Sequence, residues 1–223
     1  MTKQPGRGKF ITFEGLDGCG KSTQMEKLAG LLRNQGIDVV TTREPGGTAI
    51  GERIRAVLLD SRTAGLDAHA EMALMFASRA QLIAGVIAPA LESGRWVLCD
   101  RFTDSTEAYQ GGGRQLGSGA VLQLHKLLCR DLWPDLTILM DCDVSSCVTR
   151  ARRRNKAATL DMPDENRFEK ESHAFFTRVR NAFLEIARRE PQRVVVVDAR
   201  PKLELVHPEI VHLVRERLMQ AAV

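Results

Sequence analysis

The chain lacks a long hydrophobic run. None of its 223 residues lies in a stretch of about 18 consecutive apolar residues, which a helix needs to cross a bilayer. The first eight residues, Met1 to Gly8, also lack the apolar segment of a signal peptide. We therefore expect a soluble, cytoplasmic protein that does not bind a membrane.

Paired cysteines are missing as well. The five cysteines are an odd number, and no two of them form a C-x-x-C pair, which argues against a disulfide framework and against a zinc site. We expect reduced, mostly buried thiols. Cys19 is a possible exception, because a helix N-terminus would favour its thiolate. The other four are Cys99, Cys129, Cys142 and Cys147.

No internal repeat and no proline-rich or serine-rich linker divides the chain. With 43% hydrophobic residues, it can bury a full core, and we expect a single domain over residues 1–223. The net charge is only +4, and much of it comes from the segment Arg150 to Lys156. Because no aromatic residues interleave there and no second basic stripe exists, we do not expect nucleic-acid binding.

The most informative feature that is present is a glycine-rich segment, Gly15-Leu16-Asp17-Gly18-Cys19-Gly20-Lys21-Ser22. Two glycines with four residues between them, followed by Lys and Ser, form the phosphate-loop pattern. A predicted strand, Phe10 to Glu14, precedes it, and the apolar spacing of Ser22 to Asn34 predicts a helix after it.

In that context, backbone N–H groups and the helix N-terminus can surround phosphates. Lys21 can reach the β- and γ-phosphates, and the Ser22 hydroxyl can ligate Mg²⁺. We predict an ATP site with these members: Gly15, Leu16, Asp17, Gly18, Cys19, Gly20, Lys21, Ser22 and Thr23.

Five strand candidates alternate with helical stretches. This alternation indicates a three-layer α/β sandwich around a five-stranded parallel sheet, in which all strands end at one edge in charged residues or glycine. The candidates are Phe10 to Glu14, Asp38 to Thr42, Trp96 to Asp100, Leu136 to Asp141 and Arg193 to Asp198.

The strand Trp96 to Asp100 has four hydrophobic residues followed by an aspartate, the form of the second nucleotide motif. We predict that Asp100 holds Mg²⁺ directly or through water. Arg101 follows at the same edge and could grip a phosphate with its planar fork, although a structural salt bridge is the alternative.

A predicted helix, Ala70 to Glu92, carries an apolar stripe that Arg79 interrupts. Its guanidinium should point to the interior and needs a partner. Either it pairs with a buried carboxylate, or it lines a pocket beside Phe76 and reads the polar edge of a ligand. An aromatic face next to a donor fork is a common way of holding a nucleobase.

Two further segments are candidates. The run Gly111-Gly112-Gly113 permits close backbone approach, with a flexible turn as the alternative. The arginines of the segment 150–156 precede an aperiodic stretch, Asn155 to Asn166. Arginines that close over a moving phosphoryl group stabilise its charge, so we expect a mobile lid over about 150–167.

Several motifs together resemble thymidylate kinases of the bacterial type. They are Gly15 to Thr23, Thr42-Arg43-Glu44-Pro45-Gly46-Gly47-Thr48, Met75-Phe76-Ala77-Ser78-Arg79, Asp100-Arg101-Phe102 and Ala108-Tyr109-Gln110-Gly111-Gly112-Gly113-Arg114. The resemblance covers nearly the whole chain in order. It implies a P-loop fold of the nucleoside monophosphate kinase type, phosphorylation of dTMP to dTDP with ATP and Mg²⁺, and a homodimer.

The resemblance also implies roles for single residues. Phe76 would stack on thymine, Arg79 would donate to its O4, and Thr106 would contact N3. Tyr109 would lie beneath the deoxyribose, and Asp17 would bind the 3′-hydroxyl. Pro45 would pack near the base, while Arg55 and Arg101 would hold the dTMP phosphate. Gln110 belongs to the same matched segment and is included in the dTMP site.

In this family, the arginine that touches the transferring phosphate comes from either the phosphate loop or the lid. Gly18 occupies the loop position here, so the resemblance implies a lid arginine, with Arg154 as the choice and Arg150 and Arg152 nearby. The catalytic set is then Lys21, Arg101 and Arg154. The chain departs from the family pattern in having Asn166 before Arg167 and an extended lid.

Other functions are less well supported. Another nucleoside monophosphate kinase, acting on dUMP or dCMP, would share most of these motifs. A GTPase-like switch is disfavoured, because Asn155-Lys156-Ala157-Ala158 lacks the aspartate of the guanine-reading motif. A catalytically silent nucleotide-binding scaffold is disfavoured by the presence of Lys21, Asp100 and the arginines.

Overall fold

A computed structural model describes residues 6–63, 65–157 and 167–219. Its centre is one five-stranded sheet in which all neighbouring strands are parallel, in the order β2-β3-β1-β4-β5. The strands are β1 Phe10–Glu14, β2 Val39–Arg43, β3 Trp96–Asp100, β4 Leu136–Asp141 and β5 Val194–Asp198. This confirms the predicted sheet.

Helices cover both faces of the sheet, as the continuous apolar strands require. Alternate residues of β1 enter different cores: Phe10 belongs to one cluster of buried residues, and Ile11 and Phe13 to the other. The helices are α1 Lys21–Asn34, α2 Ala49–Leu59, α3 Ala68–Leu82, α4 Ala88–Glu92, α5 Thr103–Thr106, α6 Ser118–Leu128, α7 Val144–Ala157, α8 His173–Arg189 and α9 Leu203–Val214.

The strand edges and helix starts differ slightly from the predictions. Strands β2 and β5 begin one residue later than predicted, β2 also extends to Arg43, and α1 begins at Lys21 rather than Ser22. The long predicted helix begins at Ala68, because the Asp67 carboxylate accepts the N–H groups of His69 and Ala70 as an N-cap.

The long helix is interrupted by a π-helical turn, Ile83–Ile87, between α3 and α4. Within the described part of the chain, the run Ala68–Glu92 is the one helical segment long and apolar enough to cross a membrane, with a window of mean hydropathy 1.5. Its inner residues, including Met72 and Phe76, pack in the core beneath β3, as those of a core helix do.

The glycine run is not a flexible turn. It ends a π-helical segment, Glu107–Gly113. A side-chain carbon on Gly113 would lie 2.6 Å from the Phe175 ring, so the close-approach interpretation is the correct one.

All five cysteines are free and buried, as predicted. Cys19, named above as a possible exception, is buried like the other four. This side chain is only 1% exposed, and burial raises the pKa of the thiol despite the nearby Lys21 charge.

His125 should make the fold sensitive to acid. Its buried ring lies 3.9 Å from the Trp133 ring, and Nδ1 shares a 2.8 Å hydrogen bond with the Thr103 hydroxyl. Burial and, to a smaller extent, the charge of Arg79 lower the pKa of His125 to about 4. Because the unfolded chain binds this proton near pH 6.5, the stabilisation is present above that pH and is lost as the pH falls toward 4.

We expect the free energy of unfolding to drop by on the order of 3 kcal/mol between about pH 7 and about pH 4 through this group. Urea unfolding at both pH values measures the drop. The variant His125→Phe keeps an aromatic ring and should show a smaller drop, whereas His69→Phe, at an exposed position, should not. An equal drop in His125→Phe would contradict the assignment.

Candidate active site

The phosphate loop joins β1 to α1, as predicted. Gly15, Gly18 and Gly20 have φ values of 127°, 86° and 96°, a region that side chains disfavour. The Lys21 ammonium folds back over the loop, donating to the Gly15 and Leu16 carbonyl oxygens at 3.2 and 2.9 Å. The loop therefore has the backbone shape of a phosphate cradle.

Gly18 lies directly against the lid-bearing helix α7. A side-chain carbon at this position would lie 2.3 Å from the Cys147 carbonyl oxygen and 3.1 Å from the Arg150 Cβ. The absence of a basic residue at position 18 thus has a steric reason in this packing. The same contact brings the root of the Arg150 side chain next to the loop.

The two predicted magnesium ligands meet. The Ser22 hydroxyl, at the start of α1, donates to Asp100 Oδ2 at the end of β3 across 2.6 Å. The other carboxylate oxygen, Asp100 Oδ1, is buried and has no hydrogen-bond partner. The described residues contain no group of three or more His, Cys, Asp or Glu side chains that could hold a metal.

Arg101 connects the phosphate loop to the opposite side of the site. Its backbone has a φ of 73°, in the left-handed region. The guanidinium donates to Asp17 at 2.8 Å, to the Ser105 hydroxyl at 2.8 Å and to the Tyr109 hydroxyl at 3.3 Å. The structural salt bridge that was the alternative for Arg101 therefore exists, and its partner is a loop residue.

Arg79 pairs with a buried carboxylate, which is the first of its two predicted arrangements, and it also lies beside Phe76. Its Nε donates to the buried Glu44 carboxylate at 2.7 Å, and its guanidinium lies 4.8 Å from the centre of the Phe76 ring. A second nitrogen donates to the Thr106 hydroxyl at 2.9 Å, so the three residues predicted to read the base lie together. Arg79 Nη1 is buried without a partner. Phe76 is fully buried, so stacking on a base requires its surroundings to shift.

Tyr109 forms the floor between these groups. Its ring packs edge-on against Phe168 and Phe175 at 5.7 and 6.2 Å, and the Arg101 guanidinium lies 5.0 Å from the ring centre. The ring is 6% exposed. It is therefore held rigidly next to the arginine that we expect to hold a phosphate.

Gln110 is engaged by a buried acid. Its amide donates to Glu71 at 2.7 Å, and Arg114 and Arg167 donate to the same carboxylate at 3.1 and 2.6 Å. Burial acts to raise the pKa of Glu71, but the hydrogen bonds from Arg114 and Gln110 outweigh it and hold that pKa below the usual range.

Arg167, at the C-terminal end of the predicted lid, is held in place by buried contacts. It is only 5% exposed and donates to Glu71 and to the Leu58 carbonyl oxygen. Residues 150–157 form the last two turns of α7. The remainder of the predicted lid, 158–166, lies outside the described residues, as do the side chains of Arg152 and Arg154.

The remaining predicted residues lie near the same edge. Arg55, on α2, donates to the Pro45 carbonyl oxygen at 2.9 Å. Gly47 donates its N–H to Glu52, which Arg43 also contacts at 3.1 Å. The loop after β2 is therefore tied to α2.

Sequence reasoning assigned no role to several buried acids, among them Glu14, Glu44 and Glu71, which are 0%, 4% and 0% exposed. Each accepts from an arginine or from the segment that carries one. Glu44 belongs to a motif that the resemblance uses, and Glu14 directly precedes the phosphate loop. The acid itself gave no signal, because exposed and buried glutamates look alike in a sequence.

A phosphate loop on a parallel sheet of this order, with Arg79 and Arg101 beside it at the carboxyl edge, defines a P-loop kinase of the nucleoside monophosphate type. The family model described as thymidylate kinase matches residues 13–210. The chain belongs to the thymidylate kinase family.

Individual relatives agree with the family match. A thymidylate kinase of Pelobacter propionicus is 48% identical over 92% of each chain. One of Trichlorobacter lovleyi is 50% identical over 85% of this chain and 89% of its own length. The crystal structure of thymidylate kinase from Ehrlichia chaffeensis, 35% identical, superposes with a TM-score of 0.74 and covers 95% of this chain and 99% of that chain. The resemblance predicted from the motifs is confirmed.

Proposed function

We propose a division of labour among the residues of this site for the reaction of the family, transfer of the ATP γ-phosphoryl group to dTMP. A dTMP phosphate oxygen attacks the γ-phosphorus, the bond to the β-phosphate oxygen breaks, and ADP leaves. The attacking group is already anionic, so no strong general base is needed. Positioning and charge neutralisation carry the catalysis.

The ion pair between Arg101 and Asp17 is the observation that supports this assignment most directly. Its 2.8 Å contact joins the rim arginine to a residue inside the phosphate loop. An arginine at the acceptor side can therefore neutralise the dTMP phosphate while Lys21, 3.8 Å from the same aspartate, serves the donor. One positive side chain would then face the phosphate of each substrate, and both side chains lie next to Asp17.

The thymine side is supported by Arg79. Its partnerless Nη1 is a donor next to the Phe76 ring, which suits the O4 acceptor of thymine. Thr106 fixes the neighbouring nitrogen of the same guanidinium. Cytosine presents a donor amine at that position instead, so the site disfavours dCMP.

Mg²⁺ fits the pair of Ser22 and Asp100. A hydroxyl and a carboxylate at the phosphate loop are oxygen donors of the kind that Mg²⁺ prefers, and Asp100 Oδ1 has no other partner. When bound, the ion would neutralise charge on the β- and γ-phosphates.

Replacing Asp100 should weaken the binding of Mg²⁺ by the protein. For Asp100→Asn, we expect kcat to fall about 10²-fold or more and the Mg²⁺ concentration for half-maximal rate to rise, because the amide supplies no charge. Titrating Mg²⁺ at saturating ATP measures both. Asp198→Asn, at the end of β5, is the control, and an unchanged Mg²⁺ dependence of Asp100→Asn would contradict the metal role.

The lid proposal follows the contact between Gly18 and α7. We propose that an arginine of this helix touches the transferring phosphoryl group. Arg150 has its Cβ beside the loop, while Arg154 remains the choice made from the resemblance. Single replacements by Met at 150, 152 and 154, compared for kcat at saturating substrates, separate them.

The assembly and location proposals rest on the family. We propose a cytoplasmic homodimer with no nucleic-acid or membrane partner. Exposed apolar side chains at Ile50 and Val57 of α2 are candidates for the interface, being 55% and 47% exposed. Light scattering after size exclusion, with Ile50→Glu as the variant, tests this.

The reaction itself is tested by ADP release in a coupled assay. We expect dTMP to be the preferred acceptor over dUMP and dCMP at equal concentration. A clear preference for dCMP would overturn the roles given to Phe76 and Arg79, while absence of any acceptor-dependent release would contradict the kinase assignment.

A further inference from the structure

Glu14 is a fully buried acid at the centre of the site. It is the last residue of β1 and directly precedes Gly15 of the phosphate loop. The phosphate-loop pattern begins one residue later and gives this side chain no role. A buried carboxyl needs its own hydrogen-bond partners, so its contacts identify what it does.

Both carboxyl oxygens contact the segment that follows Arg101. Oε1 accepts the Phe102 backbone N–H at 2.6 Å, and Oε2 accepts the Ser105 hydroxyl at 2.5 Å. One side chain thereby connects β1, which leads into the phosphate loop, to the segment that follows Arg101.

The first contact fixes the backbone of Arg101. This residue has a φ of 73°, a conformation that a non-glycine residue keeps only where its surroundings determine it. The Arg101 N–H donates to the Phe13 carbonyl oxygen at 2.9 Å, and the next N–H, that of Phe102, donates to Glu14. The peptide groups on both sides of the Arg101 Cα are therefore bonded to adjacent residues of β1.

The second contact orients the Arg101 side chain. Because the Ser105 hydroxyl donates to Glu14, its lone pairs are left to accept, and Arg101 Nη1 donates to them at 2.8 Å. The guanidinium then reaches Asp17 with its other nitrogen.

We propose that Glu14 is a positioning residue for Arg101, holding its strained backbone through Phe102 and its guanidinium through Ser105. The proposal rests on the role of Arg101 at the dTMP phosphate given above. It assigns Glu14 no contact with either substrate.

Opposing effects act on the pKa of Glu14. Burial and, after it, the nearby Asp104 raise the pKa of Glu14 to about 8, against the lowering effects of Arg101 and of the bonds from Ser105 and Phe102. Arg193 and the Cys99 thiol also interact with it electrostatically. A protonated carboxyl can donate to the Ser105 hydroxyl instead of accepting from it. The hydroxyl oxygen would then accept from both Glu14 and Arg101.

The variant Glu14→Gln tests the proposal. Its amide oxygen can keep the Phe102 bond, but its amide nitrogen faces Ser105 as a donor. We expect kcat/KM for dTMP at about pH 9, where the Glu14 carboxyl is mostly ionised, to fall by on the order of 10- to 100-fold, with KM for ATP changed by less than about 3-fold. Removal of a titrating carboxyl should also flatten the dependence of kcat/KM for dTMP on pH between about 7 and 9.

A double-mutant cycle separates positioning from a general loss of structure. If Glu14 acts through Arg101, then Glu14→Gln should have less than about a 3-fold effect when added to Arg101→Ala. The matched control is Glu107→Gln, which removes another buried acid, paired with Arg189, and should leave kcat/KM for dTMP within about 3-fold. Thermal unfolding of each variant establishes that the folded fraction is equal.

Three outcomes would decide against the proposal or its basis. The positioning role is overturned if the losses of kcat/KM for dTMP in the two single variants multiply in the double variant. It is also overturned if Glu14→Gln leaves the dTMP kinetics unchanged. Unchanged dTMP kinetics in Arg101→Ala alone would instead remove the proposed role of Arg101. If Glu14→Gln does not fold, Ser105→Ala breaks only the side-chain link and must show the same dependence on Arg101.

Discussion

Replacing Lys21 by Met is expected to lower kcat by about 10²- to 10³-fold while the protein stays folded. The Lys21 ammonium lies over the phosphate loop, bonded to the carbonyl oxygens of Gly15 and Leu16 and to the Cys19 sulfur, and close to Asp17. From there it can follow negative charge that moves between the β- and γ-phosphates. Met has a similar length and no charge, so the change removes the charge and little volume.

The measurement is kcat at saturating ATP and dTMP, with thermal unfolding as the test of folding. The two loop carbonyls lose a donor in this variant, so a loss of stability of about 1–3 kcal/mol is expected and must be separated from the loss of rate. Lys27→Met is the matched control, since Lys27 lies on the exposed face of the same helix. A Lys21→Met enzyme with nearly normal kcat would sink the assignment of the loop as the donor site.

Replacing Arg101 by Ala is expected to lower kcat/KM for dTMP by about 10³-fold. The guanidinium is held by Asp17, Ser105 and Tyr109. A group fixed in this way loses little entropy when a phosphate binds, and its planar fork can donate two bonds to one phosphate. Its removal should therefore affect both the binding of dTMP and the transition state.

Arg101→Lys distinguishes charge from shape. Lys keeps a positive charge but not the fork, so we expect an intermediate loss of about 10- to 100-fold. Arg188→Ala, which breaks an exposed ion pair with Glu185, is the control and should be silent. If Arg101→Ala raised KM for ATP and left dTMP kinetics unchanged, the arginine would belong to the donor side.

Much of the site could be predicted because its motifs are continuous in sequence. The phosphate loop is one segment between a strand and a helix, and each strand ends at a residue that the sheet carries to the same edge. The contact of Ser22 with Asp100 could be predicted, because each residue belongs to a motif that follows or ends a strand at the same edge of the sheet. The predicted roles of Phe76, Thr106 and Tyr109 came from the resemblance and stay predictions.

Where the sequence left the outcome open, local packing accounts for what the structure shows. The glycine run was open to a flexible turn because glycine is compatible with many conformations, and only its packing against Phe175 selects one. The helix N-terminus made a thiolate at Cys19 possible, but burial, which the sequence does not show, has the larger effect on its pKa. The predicted lid runs to Arg167 because its loop lacks periodicity, and the sequence could not show that a buried acid contacts that arginine.

The sequence by itself determined the phosphate loop, the parallel α/β sandwich and the membership of a kinase family, since local pattern and spacing specify them. Only the tertiary structure decided which partner each buried acid meets. Glu14 reaches Ser105 across 91 positions, Glu44 reaches Arg79 across 35, and Glu71 reaches Arg167 across 96. A buried charge is tolerated only with a partner, and no local pattern names a partner that the fold brings from so far along the chain.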